Sequence, residues 1–149
     1  MNSSTSIPAL PAGLSLSAAS DDDIDAICGA LRAYNRKTVG DFDVHPLALQ
    51  LHDAHARRVA GLAGSVYLGW LAIDVLWVDE ACRGQGLGSL LLREAEQRAM
   101  DLGAHGAFLD TFAWQAEGFH ARHGYREFGR LDDFPRGQPR LFMRKALQR

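Results

Sequence analysis

The stretch from residue 76 to residue 89 constrains this chain more than any other. Leu76-Trp77-Val78 reads as the apolar end of a strand, and Arg83-Gly84-Gln85-Gly86-Leu87-Gly88-Ser89 opens an amphipathic run. Three glycines within five residues allow positive φ and close approach by a ligand. Backbone N–H groups turned inward in such a nest bind anions. A following helix adds its positive dipole end and its unpaired first-turn amides, and Arg83 adds a full charge with forked donors. The stretch therefore predicts strand, turn and helix, with a pyrophosphate bound at the turn.

The spacing separates this turn from two common nucleotide-binding loops. A Walker loop needs Gly-x-x-x-x-Gly-Lys-Ser/Thr, and no lysine follows here. The dinucleotide fingerprint Gly-x-Gly-x-x-Gly would need glycine at position 89, where Ser89 stands.

A chain of 149 residues suits one domain. The net charge of -2 lacks the basic excess that announces nucleic-acid binding, so no nucleic-acid partner is expected. Cys28 and Cys82 lie far apart without a disulfide-scaffold pattern, which suits a reducing, cytoplasmic setting; Cys28 reads as core. Residues 65–78 are very apolar, but Asp74 interrupts them and they are too short to span a bilayer, so no membrane association is expected. The first nineteen residues carry no Lys or Arg, and Pro8 and Pro11 break their apolar part, which argues against a cleaved signal peptide. Residues 1–13 are expected to be a disordered leader, and residues 14–149 a single domain.

Leu14 and Leu16 alternate with serines and predict a short first strand. Ser20 is placed to cap a helix with Asp21, Asp22 and Asp23 in its first turn and Ile24, Ile27, Cys28 and Leu31 at helical spacing, ending near Tyr34 or Asn35. A loop over 38–46 leads to a strand marked by the alternation of Leu47, Leu49 and Leu51. Residues 59–67 read as the next strand, weakened by Gly61 and Gly64. Residues 68–78 read as a long central one, apolar on both faces. After the glycine turn, Leu87, Leu91, Ala95, Ala99 and Leu102 mark one face of a helix that Gly103 should end. Residues 107–112 form a strand expected to run parallel to the long one. A helix over 115–123 and closing strands over 125–131 and 140–147 complete the α/β pattern.

Two segments resemble one family. Arg83-x-x-Gly86-x-Gly88 resembles the Gln/Arg-x-x-Gly-x-Gly/Ala signature of the GCN5-related N-acetyltransferases (GNAT). Phe119-His120-Ala121-Arg122-His123-Gly124-Tyr125 is similar to the family's Phe-Tyr-x-x-x-Gly-Phe segment on its last helix. The likeness covers about residues 14–147, weakest before Leu47. It implies a mixed central sheet flanked by helices, with fourth and fifth strands, here 68–78 and 107–112, that splay to admit the pantetheine arm of acetyl-CoA.

The resemblance also implies site residues. Backbone groups of Leu76, Trp77 and Val78 would pair with the pantetheine amides as an added strand would. Arg83, Gly84, Gln85, Gly86, Leu87, Gly88 and Ser89 would hold the pyrophosphate, and Arg122 would reach the 3′,5′-ADP portion. Acetyl transfer needs a neutral amine, a donor for the carbonyl oxyanion and a proton for the leaving thiolate. Asp74, an ionisable group in an apolar strand, is the candidate base or else a structural partner, with Glu80 a lesser candidate. His120 stands where the family usually carries a proton-donating tyrosine, and is either an imidazolium general acid or a helix-surface residue. Tyr125 is expected in the core. His120 and His123 share a helical face, but no other ligands complete a metal set, and no metal is expected.

The implied activity is transfer of the acetyl group to a primary amine, by direct attack in a ternary complex. The acceptor is a small molecule or a protein amine, and near-neutral charge favours the former. A homodimer is allowed for. The alternative is an acyl-CoA-binding sensor or partner subunit with little catalysis, since the usual tyrosine is replaced.

Overall fold

The computed structural model describes residues 9–115 and 118–148. Contacts divide the chain into two compact units, Met1–Asp41 and Phe42–Arg149.

The first unit is built around helix α1 (Asp21–Val39). Its N-terminus is a reciprocal capping box: the Ser20 hydroxyl accepts from the Asp23 N–H at 3.3 Å, and the Asp23 carboxylate accepts from the Ser20 N–H at 2.9 Å. These bonds favour the ionised carboxylate and hold Asp23 below its ordinary pKa. The helix runs past the expected end near Asn35 because Arg36 and Lys37 suit the negative end of its dipole; Gly40, at φ 74°, stops it. Two expectations fail here. Leu14 and Leu16 form no strand, since a strand needs a neighbour to pair its N–H and C=O groups and none lies beside them among the described residues. Cys28 is exposed rather than core, because a unit made of one helix has no interior to offer it.

The second unit is a six-stranded sheet of β1 (His45–His52), β2 (Arg58–Tyr67), β3 (Trp70–Val78), β4 (Gly106–Phe112), β5 (Arg126–Leu131) and β6 (Arg140–Ala146), in the order β1-β2-β3-β4-β6-β5. Strands β3 and β4 are parallel, joined through helix α2 (Leu87–Asp101); all other pairs are antiparallel. This is the expected mixed α/β architecture, and β3 and β4 are the strands expected to splay. Leu91, Leu92, Ala95 and Ala99 of α2 are buried in one core with Leu47, Leu62, Val66, Leu71, Ile73 and Leu109 from the sheet. Each large apolar side chain buried there contributes about 1.5–3 kcal/mol relative to exposure. The Leu47, Leu49, Leu51 alternation faces this core as read.

Three local readings need correction. Strand β3 begins at Trp70 rather than 68, because Leu68 (φ 48°) and Gly69 (φ 81°) turn left-handed to close the β2–β3 hairpin. The last helix, α3, spans only Phe119–Arg122, between Gly118 (φ 76°) and Gly124 (φ 87°). Of the residues expected to begin it, Gln115 lies in a turn with its side chain accepting from the Phe112 N–H at 3.2 Å, and 116–117 lie outside the described residues. Leu102, read on the apolar face of α2, is 47% exposed, because it sits past the last helical turn as its C-cap.

Candidate active site

The site is organised by a change of environment along β3. From Trp70↔Gly106 to Ile73↔Leu109 the strand pairs with β4, and beyond that point the pairing ends although both strands continue. On its other edge β3 stays paired to β2 as far as Ala60↔Val78, but the register slips between Ala63↔Val75 and Gly64↔Ile73. Asp74 is the extra residue, a β-bulge, and a bulge bends its strand and re-aims the side chains that follow. Gly64 is what permits it: a Cβ there would lie 2.1 Å from the Ala72 carbonyl oxygen.

The bulge overturns the reading of β3 as apolar and buried on both faces. Leu71, Ala72 and Ile73 are buried, whereas Asp74 is exposed, Val75 is 55% exposed and Trp77 43%. The Asp74 carboxylate therefore meets its hydration requirement from water, and it has no ion-pair or hydrogen-bond partner among the described residues. Leu76 and Val78 keep the opposite orientation and pack against the core.

Beyond Val78 the chain makes a single 3₁₀ turn (Glu80–Cys82) and enters the glycine segment. Glu80 is exposed there. The Arg83 Nε donates to the Val78 carbonyl at 3.2 Å, tying the turn to the strand end. Gly84 (φ 78°) and Gly86 (φ 77°) both adopt the left-handed conformation, and a Cβ on either would meet nothing within 4 Å. Their glycine requirement is therefore conformational, and the space beside them is open. Gly86 is the N-cap of α2; no side chain caps this helix and no acid stands in its first turn, so its amides and dipole are left for an external anion. Gly88 is needed for a different reason. A Cβ there would press to 3.3 Å on the Phe119 ring, whose close approach joins the helix start to α3.

Around α3 the polar groups are tightly held. The Ser89 Oγ lies 2.8 Å from His123 Nε2, and burial lowers the His123 pKa. His120 packs edge-on against Phe119 and Tyr125. Its Nδ1 is buried without a hydrogen-bond partner among the described residues. Burial first, and the neighbouring His123 second, push its pKa below 6.5, so the neutral ring dominates at pH 7. Arg122 is exposed on the same short helix, consistent with a solvated charge. Tyr125 is core, as expected, at 2% exposure.

Some residues at this site gave no readable signal in the sequence. In the parallel register Asp110 follows Leu109 as Asp74 follows Ile73, so two carboxylates flank the point where the strands part. Asp110 is gripped by Arg140, whose Nε donates to Oδ2 at 2.7 Å and whose guanidinium lies 4.8 Å from the Phe134 ring centroid. Glu96 is buried on α2, where it accepts from the Tyr125 hydroxyl at 2.9 Å and from the Lys145 Nζ at 2.7 Å. Burial and this acid push the Tyr125 phenol far above its ordinary range, so it stays protonated with its hydroxyl committed to Glu96. Glu96 had one faint signal, a charge at i+4 from Leu92 inside an apolar stripe.

A parted parallel pair above a glycine nest and an uncapped helix start is the arrangement the sequence motifs implied. Residues 30–125 match the model of the acetyltransferase (GNAT) family. The chain belongs to the GNAT acetyltransferases. Membership makes it an acetyl-CoA-dependent N-acetyltransferase by class. It is 41% identical over 112 residues to a blasticidin-S acetyltransferase of Streptomyces morookaense, covering 72% of this chain and 81% of that one. It is 34% identical over 120 residues to an acetyltransferase of Agrobacterium fabrum, covering 80% and 88%. Among solved structures, an acetyltransferase from Bacillus cereus superposes with a TM-score of 0.83 at 32% identity, covering 90% of this chain and 98% of that one.

Proposed function

We propose that this GNAT enzyme moves the acetyl group of acetyl-CoA to a primary amine of a small molecule, by direct attack in a ternary complex. The observation that carries the reading is the coincidence of the parted β3–β4 pair with the open, left-handed Gly84 and Gly86 and the uncapped α2. The fit to acetyl-CoA is chemical. The nest and Arg83 suit a pyrophosphate, and the β3 edge from Asp74 onward has backbone groups that β4 does not pair, which suit the pantetheine amides. A small-molecule acceptor is supported by the relative named for blasticidin-S.

Acetyl-CoA, when bound, supplies the activated thioester. Among the chain's own groups, Leu76 and Val78 offer backbone N–H at the open edge of β3 to the amides and to the developing oxyanion, Trp77 between them turns its N–H to β2, and Arg83 and residues 84–89 fix the phosphates. Asp74, solvated and unpaired at the bulge, is free to take a proton from an ammonium group directly or through water. His120, read from the sequence as an imidazolium general acid or a helix-surface residue, enters as a neutral imidazole because burial lowers its pKa; its ring N–H can give the departing sulfur a hydrogen bond but no proton, so the sulfur leaves as the thiolate.

Thiol release from acetyl-CoA, followed over a panel of primary amines, tests the reading. Turnover on a small amine is expected, while tight CoA binding without turnover on any acceptor would favour a sensor instead. Gly86→Asp places a negative charge where phosphate must approach and is expected to abolish CoA binding by calorimetry; unchanged affinity in the folded variant would remove the pyrophosphate assignment.

A further inference from the structure

The face of the sheet opposite α2 carries an open groove of about 410 Å³ beside the parted strand. Its floor is made by residues too small to fill it. Gly61 has no side chain and Ala63 only a methyl, and the register sets them between Gln50 and Trp77 in one row and Ala48 and Val75 in the next. Val75 and Trp77, exposed by the bulge at Asp74, form one wall. Gln50 and Arg58 form the other, with the Arg58 Nε donating to Gln50 Oε1 at 2.9 Å.

The charge in this groove is uncompensated. Arg57 is spent on Asp53 at 3.4 Å and Asp79 at 3.3 Å, whereas Arg58 has no carboxylate partner among the described residues. The bond to Gln50 uses Nε, leaving its two Nη groups without a partner among the described residues, and they form the fork that matches a carboxylate. That guanidinium lies beside Gln50, whose row runs through Gly61 to Trp77, ~10 Å along β3 from Asp74 and two strand spacings, again ~10 Å, across the sheet from it.

We propose that this groove selects the acceptor: an amine with a flat apolar middle and a carboxylate at the far end of it, the nitrogen at Asp74, the middle along Trp77 and the carboxylate on Arg58. The proposal rests on the acetyltransferase reading and on Asp74 lying next to the reacting nitrogen. It makes Arg58 a specificity residue without a part in the chemistry.

The test is a binding series on the full chain saturated with CoA, read by calorimetry and tryptophan fluorescence. The probes are 4-(2-aminoethyl)benzoate, phenethylamine as the same amine without carboxylate, and phenylalanine with its carboxylate next to the amine. The benzoate is expected to bind about tenfold tighter than phenethylamine, the size of one charge-assisted contact, and phenylalanine to gain nothing. Arg58→Ala should erase that preference with CoA affinity unchanged, Arg58→Lys should restore part of it, and Trp77→Phe should remove the fluorescence response. Equal affinity for the benzoate and phenethylamine, no binding of either, or a preference that survives Arg58→Ala would overturn the proposal. Loss of CoA binding by the parent protein would instead overturn the acetyltransferase site beneath it, and calorimetry with CoA alone separates the two failures.

Discussion

The two halves of β3 differ in almost everything except their place in one strand. Residues 70–73 are paired on both edges, and Leu71, Ala72 and Ile73 are buried; residues 75–78 are paired only to β2 and turn Val75 and Trp77 outward. Their amino acids are equally apolar on paper. What separates them is one inserted residue, Asp74, opposite a glycine that lets two backbones touch. The first half holds the sheet together, and the second half, lacking β4, has an edge whose backbone groups that strand does not pair.

The comparison can be broken at Gly64. Gly64→Val would drive a side chain into the Ala72 carbonyl, and either the bulge shifts or the strands separate; we expect a loss of about 3 kcal/mol or more in urea unfolding, above the usual overpacking range. It can be sharpened by truncating one residue in each half. Leu71→Ala should cost about 2–5 kcal/mol, whereas Val75→Ala should stay within about 0.5 kcal/mol in the same assay. If the two costs match, the second half is not the solvent-facing edge described above. Asp74→Asn keeps the shape of a side chain that is exposed and has no partner among the described residues, so stability should not change. Steady-state rates should nevertheless fall about a hundredfold at neutral pH, as expected for loss of a general base.

The smallest effect is a pH dependence on the α3 side of the site. The folded-state pKa of His120 lies below 6.5, so on acidification the unfolded chain takes up a proton before the native one does, and stability falls as pH drops through 6.5 toward the lower folded value. Chemical denaturation at pH 7 and pH 5 should show a larger loss for the parent than for His120→Phe. An equal loss would mean that the ring is as well solvated in the native state as in the unfolded one.

Local chemistry announced much of this molecule in the chain itself. The N-cap at Ser20, the leucine alternation in β1, the glycine turn before α2 and the burial of Tyr125 each depend on neighbours within a few residues, or on a side chain's preference for apolar surroundings. What a residue does with a partner elsewhere in the chain was not legible in its own neighbourhood. Asp74 becomes a bulge only because Gly64 lies across from it, and the end of β3–β4 pairing at Ile73↔Leu109 leaves no trace in either strand's composition. Glu96 is tolerable in the interior only with Tyr125 and Lys145 brought to it from 29 and 49 residues away. Leu14 and Leu16 show the converse, a strand pattern that finds no strand to pair with among the described residues. Pairing energy and desolvation are properties of two surfaces in contact, so the tertiary structure decided where the sheet opens, which acid is solvated and that the His120 ring is desolvated.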